Sequence, residues 1–213
     1  MNRSFSVKET ILYSVRAVIE NPWYFVKLFL YWIGFSFLIL VPIFALIAAV
    51  GVYGVAAPVS VGNILFIVVG LAILLAYLLA LVYMWCAPIK LLLHFYDTKD
   101  TALRFGDFFR LFSLSKLFRL IGVFVLYALA ITLGLILFII PGIYLAVKLQ
   151  FALYYAIDKN ISVIEAFKRS YAATTGNFWR ILIVDVIAAV LMQLIIAIPI
   201  SYLMGVYMYR KLG

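Results

Sequence analysis

The charged residues gather in a few clusters, and the chain between them is apolar. Leu28 to Ile89 carries no charge, and neither does Leu120 to Val147. Apolar residues run on there without alternating, which predicts helices and not a barrel. About 20 residues fill a bilayer core, so each stretch can hold two crossings and a turn. In the first, GVYGVAAPVSVGN (Gly51–Asn63) breaks the run with glycines and a proline, predicting spans near 23–50 and 64–93. In the second, the Pro-Gly of IIPGIY (Ile139–Tyr144) predicts spans near 118–140 and 142–157. Phe178 to Tyr209 is long for one crossing and short for two. AIPISYLMGVYMYRK echoes IIPGIYLAVKLQ, with Pro199, Tyr202 and Leu203 opposite Pro141, Tyr144 and Leu145. The echo favours a hairpin broken at Pro199 with a short last helix. The expected fold is all-α and integral to the membrane: three helical hairpins and six crossings, with five as the alternative.

The polar segments carry a second pattern. SVKETILYSVRAVIENPW (Ser6–Trp23) aligns without a gap on SVIEAFKRSYAATTGNFW (Ser162–Trp179). Identical pairs include Ser6/Ser162, Glu9/Glu165, Ser14/Ser170, Asn21/Asn177 and Trp23/Trp179. Serine followed three residues later by glutamate is a capping box, so helices should begin at both serines. At about 100° per residue, Val163, Ile164, Phe167, Tyr171 and Thr174 share one face. Glu165, Lys168, Arg169 and Ala172 lie opposite, with a stripe of Ala166, Ser170 and Ala173 between. The first copy repeats this with Val7, Ile11, Val15 and Val18, with Glu9, Arg16 and Glu20, and with a Thr10, Ser14 and Ala17 stripe. Such amphipathic helices lie flat at a membrane interface. Gly176 is placed to end the second in a left-handed conformation, and Asn21-Pro22 turns the first. Trp23 and Trp179 then sit at headgroup level. A fainter third copy starts at Asp100 and contains Asp107, Phe109 and Arg110. One membrane domain over 1–213 is expected, with pseudo-repeats at 6–95, 100–157 and 162–213. Each repeat is an interfacial helix followed by a hairpin.

Composition agrees with the pattern. Of 213 residues 69% are hydrophobic, mean hydropathy is +1.22, and a soluble core could not hide that much apolar surface. The net charge of +9 falls on loops that flank spans. It therefore predicts orientation and not nucleic-acid binding: the N-terminus, the 94–117 loop, the 158–177 loop and the C-terminus are expected in the cytoplasm, the protein in the cytoplasmic (inner) membrane. The single cysteine, Cys86, excludes disulfides and Cys-based metal sites.

The run IIPGIYLAVKLQFALYYAIDKN, followed by SVIEAFKRSYAATTGNFWRIL, resembles a prokaryotic integral-membrane domain family. The same domain precedes the catalytic domain of some glycerophosphodiester phosphodiesterases. The features that carry the likeness are Pro141, Gly142, Tyr144, Glu165, Ala166, Ser170, Gly176, Asn177, Phe178 and Trp179. The resemblance implies a stand-alone polytopic membrane protein. It does not imply hydrolase activity, whose soluble barrel needs about 250 residues.

Candidate chemistry is sparse. Asp185 is the one acid inside an apolar run, which makes it a functional candidate by default. Lys27, Lys90 and Lys148 lie at similar depth on other spans. They are expected to snorkel, with Asp185 paired to Lys148, or to hold an anionic lipid headgroup on the cytoplasmic leaflet. Ser6, Glu9, Trp23, Ser162, Glu165, Ser170, Gly176, Asn177 and Trp179 are assigned to interfacial-helix packing and anchoring. His94 with Asp97 and Asp100 makes a weak metal site, and Asp100 reads better as an N-cap. No nucleophile, base and orienting group come together. The reading is a non-enzymatic protein without cofactor or metal. It would bind anionic lipid or scaffold a membrane complex, with a membrane-protein partner or a second copy as further partners. The alternative is a small transporter or lipid-translocating protein.

Overall fold

The computed structural model describes residues 4–53, 61–102, 113–194 and 197–213. Every regular element among them is a helix: α1 (Val7–Glu20), α2 (Pro22–Tyr53), α3 (Val61–Thr98), α4 (Leu114–Leu137), α5 (Ile139–Leu149), α6 (Ala152–Lys159), α7 (Val163–Thr174), α8 (Phe178–Met192) and α9 (Ile198–Leu212). Among the described residues, Val68–Thr98, Ser115–Leu137 and Ile139–Lys159 are long and apolar enough to cross a membrane. The pair α7–α8, bent by 103°, is a fourth if it counts as one span. The chain is an all-α membrane protein.

The buried side chains gather toward one end of the described helices. Cys86, Ala87, Leu92 and Phe95 of α3, Phe151 and Ala152 at the α5–α6 junction, and Leu203, Met204 and Val206 of α9 are all buried. Tyr24 stacks on Phe95 at 4.7 Å between ring centroids, and its hydroxyl donates to the Leu91 carbonyl at 3.1 Å. At the far end Val68, Leu71 and Leu74 of α3 and the tip of α4–α5, including Ile136, Phe138 and Ile140, are exposed. A contiguous apolar surface of this kind marks contact with lipid and not with water.

The α4–α5 turn is tighter than expected. Phe138 alone leaves the helical conformation (φ −167°, ψ 154°), and Pro141-Gly142 lies in the first turn of α5. The Pro-Gly pair is therefore not the turn. Proline is tolerated in a first helical turn, where its missing N–H would have no partner. Gly142 instead allows close approach: a Cβ on Gly134 would lie 2.8 Å from the Gly142 Cα. Gly134→Ala is expected to cost about 2 kcal/mol by forcing the helices apart. Thermal unfolding in micelles checks this, and an unchanged midpoint would show that the helices do not touch there.

Helix starts follow the sequence. Ser6 and Ser162 occupy the N-caps of α1 and α7, and Ser162 Oγ accepts from the Glu165 amide at 3.4 Å. Neither capping box forms as expected: Ser6 makes no side-chain cap bond, and the Glu165 carboxylate accepts from Arg169 Nε at 2.8 Å. An Arg one turn on offers a charged donor, which a backbone amide does not. Gly176 is left-handed (φ 84°) as expected. The third copy falls mostly on 103–112, outside the described residues. Asp100 is described, and its Oδ1 accepts from the Ala102 amide at 2.8 Å.

α7 packs on the α4–α5 hairpin. At its start Val163 abuts Gly122 of α4, where a Cβ would sit 3.2 Å away, and at its end Ser170 Oγ donates to the Lys148 carbonyl of α5. Its stripe of small side chains permits the close approach. Ala166, Ser170 and Thr174 are buried, Thr174 replacing the expected Ala173. In α1, Thr10, Ser14 and Ala17 are buried as expected, and the helix packs on α9.

The last helix returns along α8, with Ser201 Oγ donating to the Ala188 carbonyl at 3.1 Å. Its end is latched. Arg210 Nη1 donates to Asp158 Oδ2 at 2.7 Å, Nη2 reaches Asp158 Oδ1 at 3.0 Å and also Asp97, and Tyr209 OH donates to Asp158 at 2.8 Å. The C-terminal ends of α3, α6 and α9 thus meet at one guanidinium. A cation at three helix C-termini also meets the negative ends of their dipoles. Nearby, burial and then the charge of Asp97 push the Tyr13 phenol above its ordinary range, and its oxygen accepts from Lys99 Nζ.

Candidate functional site

The chemistry gathers where α5 gives way to α6. The helix breaks at Gln150–Phe151, and no proline or glycine causes the break. A broken helix frees carbonyls that lipid cannot satisfy. Here side chains take them over. Tyr127 OH donates to the Ala146 carbonyl at 3.2 Å. Gln150 Nε2 reaches the Val147 carbonyl at 3.4 Å. Ser170 Oγ donates to the Lys148 carbonyl at 2.9 Å. Thr174 Oγ1, whose proton has the Ser170 carbonyl at 2.9 Å, comes within 3.3 Å of the same oxygen. The stripe on α7 is therefore more than a close-packing surface, since the Ser170 hydroxyl completes the break.

Asp185 and Lys148 do not pair. Asp185 Oδ2 accepts from Gln150 Nε2 at 2.8 Å. Lys148 Nζ donates to Thr175 Oγ1 at 3.0 Å. The break turns Gln150 toward α8 and gives the carboxylate a neutral amide partner, while the lysine points to the α7–α8 corner. The expected Asp185–Lys148 pair is thus replaced by two separate contacts. A cavity of about 90 Å³ adjoins Gln150, walled by Val123, Phe124, Tyr127, Leu149 and Leu153.

Lys148 is 4% exposed, yet among the described residues it takes no part in an ion pair. The pairs among the described residues join Arg16 to Glu20, Lys159 and Arg210 to Asp158, Arg210 to Asp97, and Arg169 to Glu165. The Lys148 ammonium faces the Tyr171 ring at 4.7 Å and the Tyr144 ring at 5.6 Å. The two phenol oxygens lie 3.3 Å apart at the surface. An ammonium has three donors, and Thr175 takes one. Burying a charge costs several kcal/mol, while each ring returns about 1 kcal/mol. A second acceptor of negative charge fits this corner. Lys27 is exposed on α2 and Lys90 half-buried on α3, so Lys148 alone of the three lysines is buried.

The echo between α5 and α9 sharpens this. In the register that sets Pro141 opposite Pro199, Lys148 falls opposite Val206. In the register of the two amphipathic segments, Tyr171 falls opposite Val15 and Thr175 opposite Ile19. Where α1 meets α9 these positions are all apolar. Where α7 meets α5 they are lysine, tyrosine and threonine. Helix α9 is unbroken, so no carbonyl is orphaned beside α1, and Ser14 Oγ turns back to the Thr10 carbonyl at 2.9 Å.

Trp23 and Trp179 are exposed, and Asn177 is buried at the N-cap of α8. Glu9 is exposed and lines an open polar cleft with Ser6, Arg180 and Lys211. Sequence reasoning missed the roles of Tyr144, Tyr171 and Thr175. The repeat of the amphipathic segments already carried the signal for Tyr171 and Thr175, which lie opposite Val15 and Ile19. Comparison of the chain with family models, with curated proteins and with solved structures finds no match.

Proposed function

We propose that the protein is a non-enzymatic membrane protein that binds anionic lipid, with Lys148 as the principal seat of the headgroup. One observation carries the reading: a buried ammonium without a carboxylate, at a joint that is apolar where the same pattern recurs. Tyr144, Tyr171 and Thr175 supply hydroxyls around it, and exposed Trp179 marks interface depth nearby. The proposal keeps six crossings, with both termini and the Asp97 and Asp158 helix ends on the cytoplasmic side. The Arg210 latch supports it by holding the last helix end beside those two loops. The family resemblance fits the same picture of a polytopic membrane domain.

Translocation is the competing reading, and Asp185 is what favours it. The space beside Gln150 weighs against it, because about 90 Å³ holds only about three waters and its walls are largely apolar.

Native mass spectrometry of gently extracted protein tests the proposal. Wild type should retain anionic phospholipid. Lys148→Gln, which keeps a donor for Thr175, should lower retention about tenfold, the value of one lost charged hydrogen bond. Lys27→Gln and Lys90→Gln should lower it less. Equal retention by wild type and Lys148→Gln, with matched melting curves, sinks the Lys148 seat.

A further inference from the structure

Two open clefts meet at Arg180. One, of about 490 Å³, lies between the N-terminal segment and the end of α9, and Glu9, Arg180 and Lys211 line it with Ser4 and Ser6. The other, of about 410 Å³, lies between Ser4 and the α7–α8 corner, with Asn177 and Trp179 on its walls. Ser4 and Arg180 belong to both. Arg180 Nη1 donates to the Phe5 carbonyl at 3.4 Å, a long bond to a neutral group. Lys211 Nζ lies over the Tyr207 ring at 5.5 Å. Neither cation joins the ion pairs found among the described residues. Glu9 faces the same cleft, yet no ion pair ties it to either.

We infer that this double cleft is a phosphate-binding site, distinct from the Lys148 corner, in which Arg180 and Lys211 hold the anion. The guanidinium offers paired donors that match phosphate oxygens, and the lysine adds a mobile point charge. Ser4 and Ser6 supply hydroxyls, and Glu9 opposes binding and sets its strength. The exposed Trp179 ring at the rim places the site at headgroup depth. A lipid phosphate and a soluble phosphate share this chemistry, and the experiment separates them. The inference does not depend on Lys148 binding lipid.

The test uses the full chain and two probes. In one arm the protein sits in phosphatidylcholine nanodiscs doped with phosphatidylglycerol, and bound phosphatidylglycerol is read by native mass spectrometry. In the other, detergent-solubilised protein is titrated with inorganic phosphate. Arg180→Gln and Lys211→Gln should each weaken binding about fivefold in the arm that reports the physiological source, the worth of one partly exposed charge pair. Glu9→Gln should strengthen it by a similar factor. Lys211 is exposed and outside the ion pairs, so its replacement leaves folding intact and isolates the charge effect. Effects in the lipid arm assign a lipid headgroup, and effects in the phosphate arm alone assign a soluble phosphate. If neither arm responds to Lys211→Gln or Glu9→Gln, the site is overturned. Lys148→Gln, run alongside, separates this failure from failure of the lipid reading, because it removes only the other seat.

Discussion

Arg210→Ala is expected to lower stability by about 3 kcal/mol, because it removes the guanidinium that two carboxylates share. Arg210 and Asp158 are mostly buried, with side chains 18% and 17% exposed. Asp158 keeps Tyr209 OH and the exposed Lys159, but Asp97 loses its ion-pair partner. The loss also frees the end of α9, whose side chains Met208, Tyr209 and Leu212 fill the core. Arg210→Lys should recover only part of the stability, since one ammonium cannot span both carboxylates as the planar fork does. Lys159→Ala removes a half-exposed pair and should cost under about 0.5 kcal/mol. Thermal unfolding in micelles ranks the three variants. An Arg210→Ala midpoint equal to that of Lys159→Ala would remove the latch from the account.

The second large effect concerns the break in α5–α6. Ser170→Ala combined with Thr174→Val leaves the Lys148 carbonyl without a donor and should cost about 3 kcal/mol, the upper end for an orphaned buried acceptor. Valine keeps the shape of threonine, so lost packing contributes little. Ser14→Ala gives the contrast. Its hydroxyl bonds a carbonyl within its own helix, a bond helices do without, and the cost should be below about 1 kcal/mol. The two serines are identical partners in the sequence repeat, so equal costs would mean that the break does not need α7. The double variant should also loosen α7 from the hairpin, which hydrogen exchange at Ala166 and Ser170 would report.

Much of the fold was legible because membranes write coarse signals. Clustered charges marked the loops, and Ser6, Ser162, Asn21-Pro22 and Gly176 marked helix ends through chemistry that acts within one turn. The buried stripes on α1 and α7 were legible as well, to within one residue at Thr174. The Pro141-Gly142 misreading has a simple cause. Both residues signal a turn, but proline also suits a helix start and glycine a close crossing, and only the partner Gly134 decides between them. The break at Gln150 had no local signal at all. Side chains distant in sequence, Tyr127, Ser170 and Thr174, make it tolerable, and it decides where Asp185 and Lys148 point. That those two residues take separate partners was therefore beyond reach from spacing alone. The Lys148 corner was half visible: the lysine was a candidate, while Tyr171 and Thr175 stand out only when the second amphipathic segment is set beside the first.

Solid-state NMR addresses the Lys148 seat most directly. Protein with ¹⁵N-labelled lysine side chains is placed in bilayers containing phosphatidylglycerol, and dephasing of the ammonium nitrogens by lipid phosphorus is recorded. Comparison with Lys148→Gln identifies the Lys148 signal. The account predicts strong dephasing of that signal, as for a phosphate oxygen in hydrogen-bond contact with the nitrogen. A Lys148 signal that persists undiminished, while those of exposed lysines decay, would contradict it.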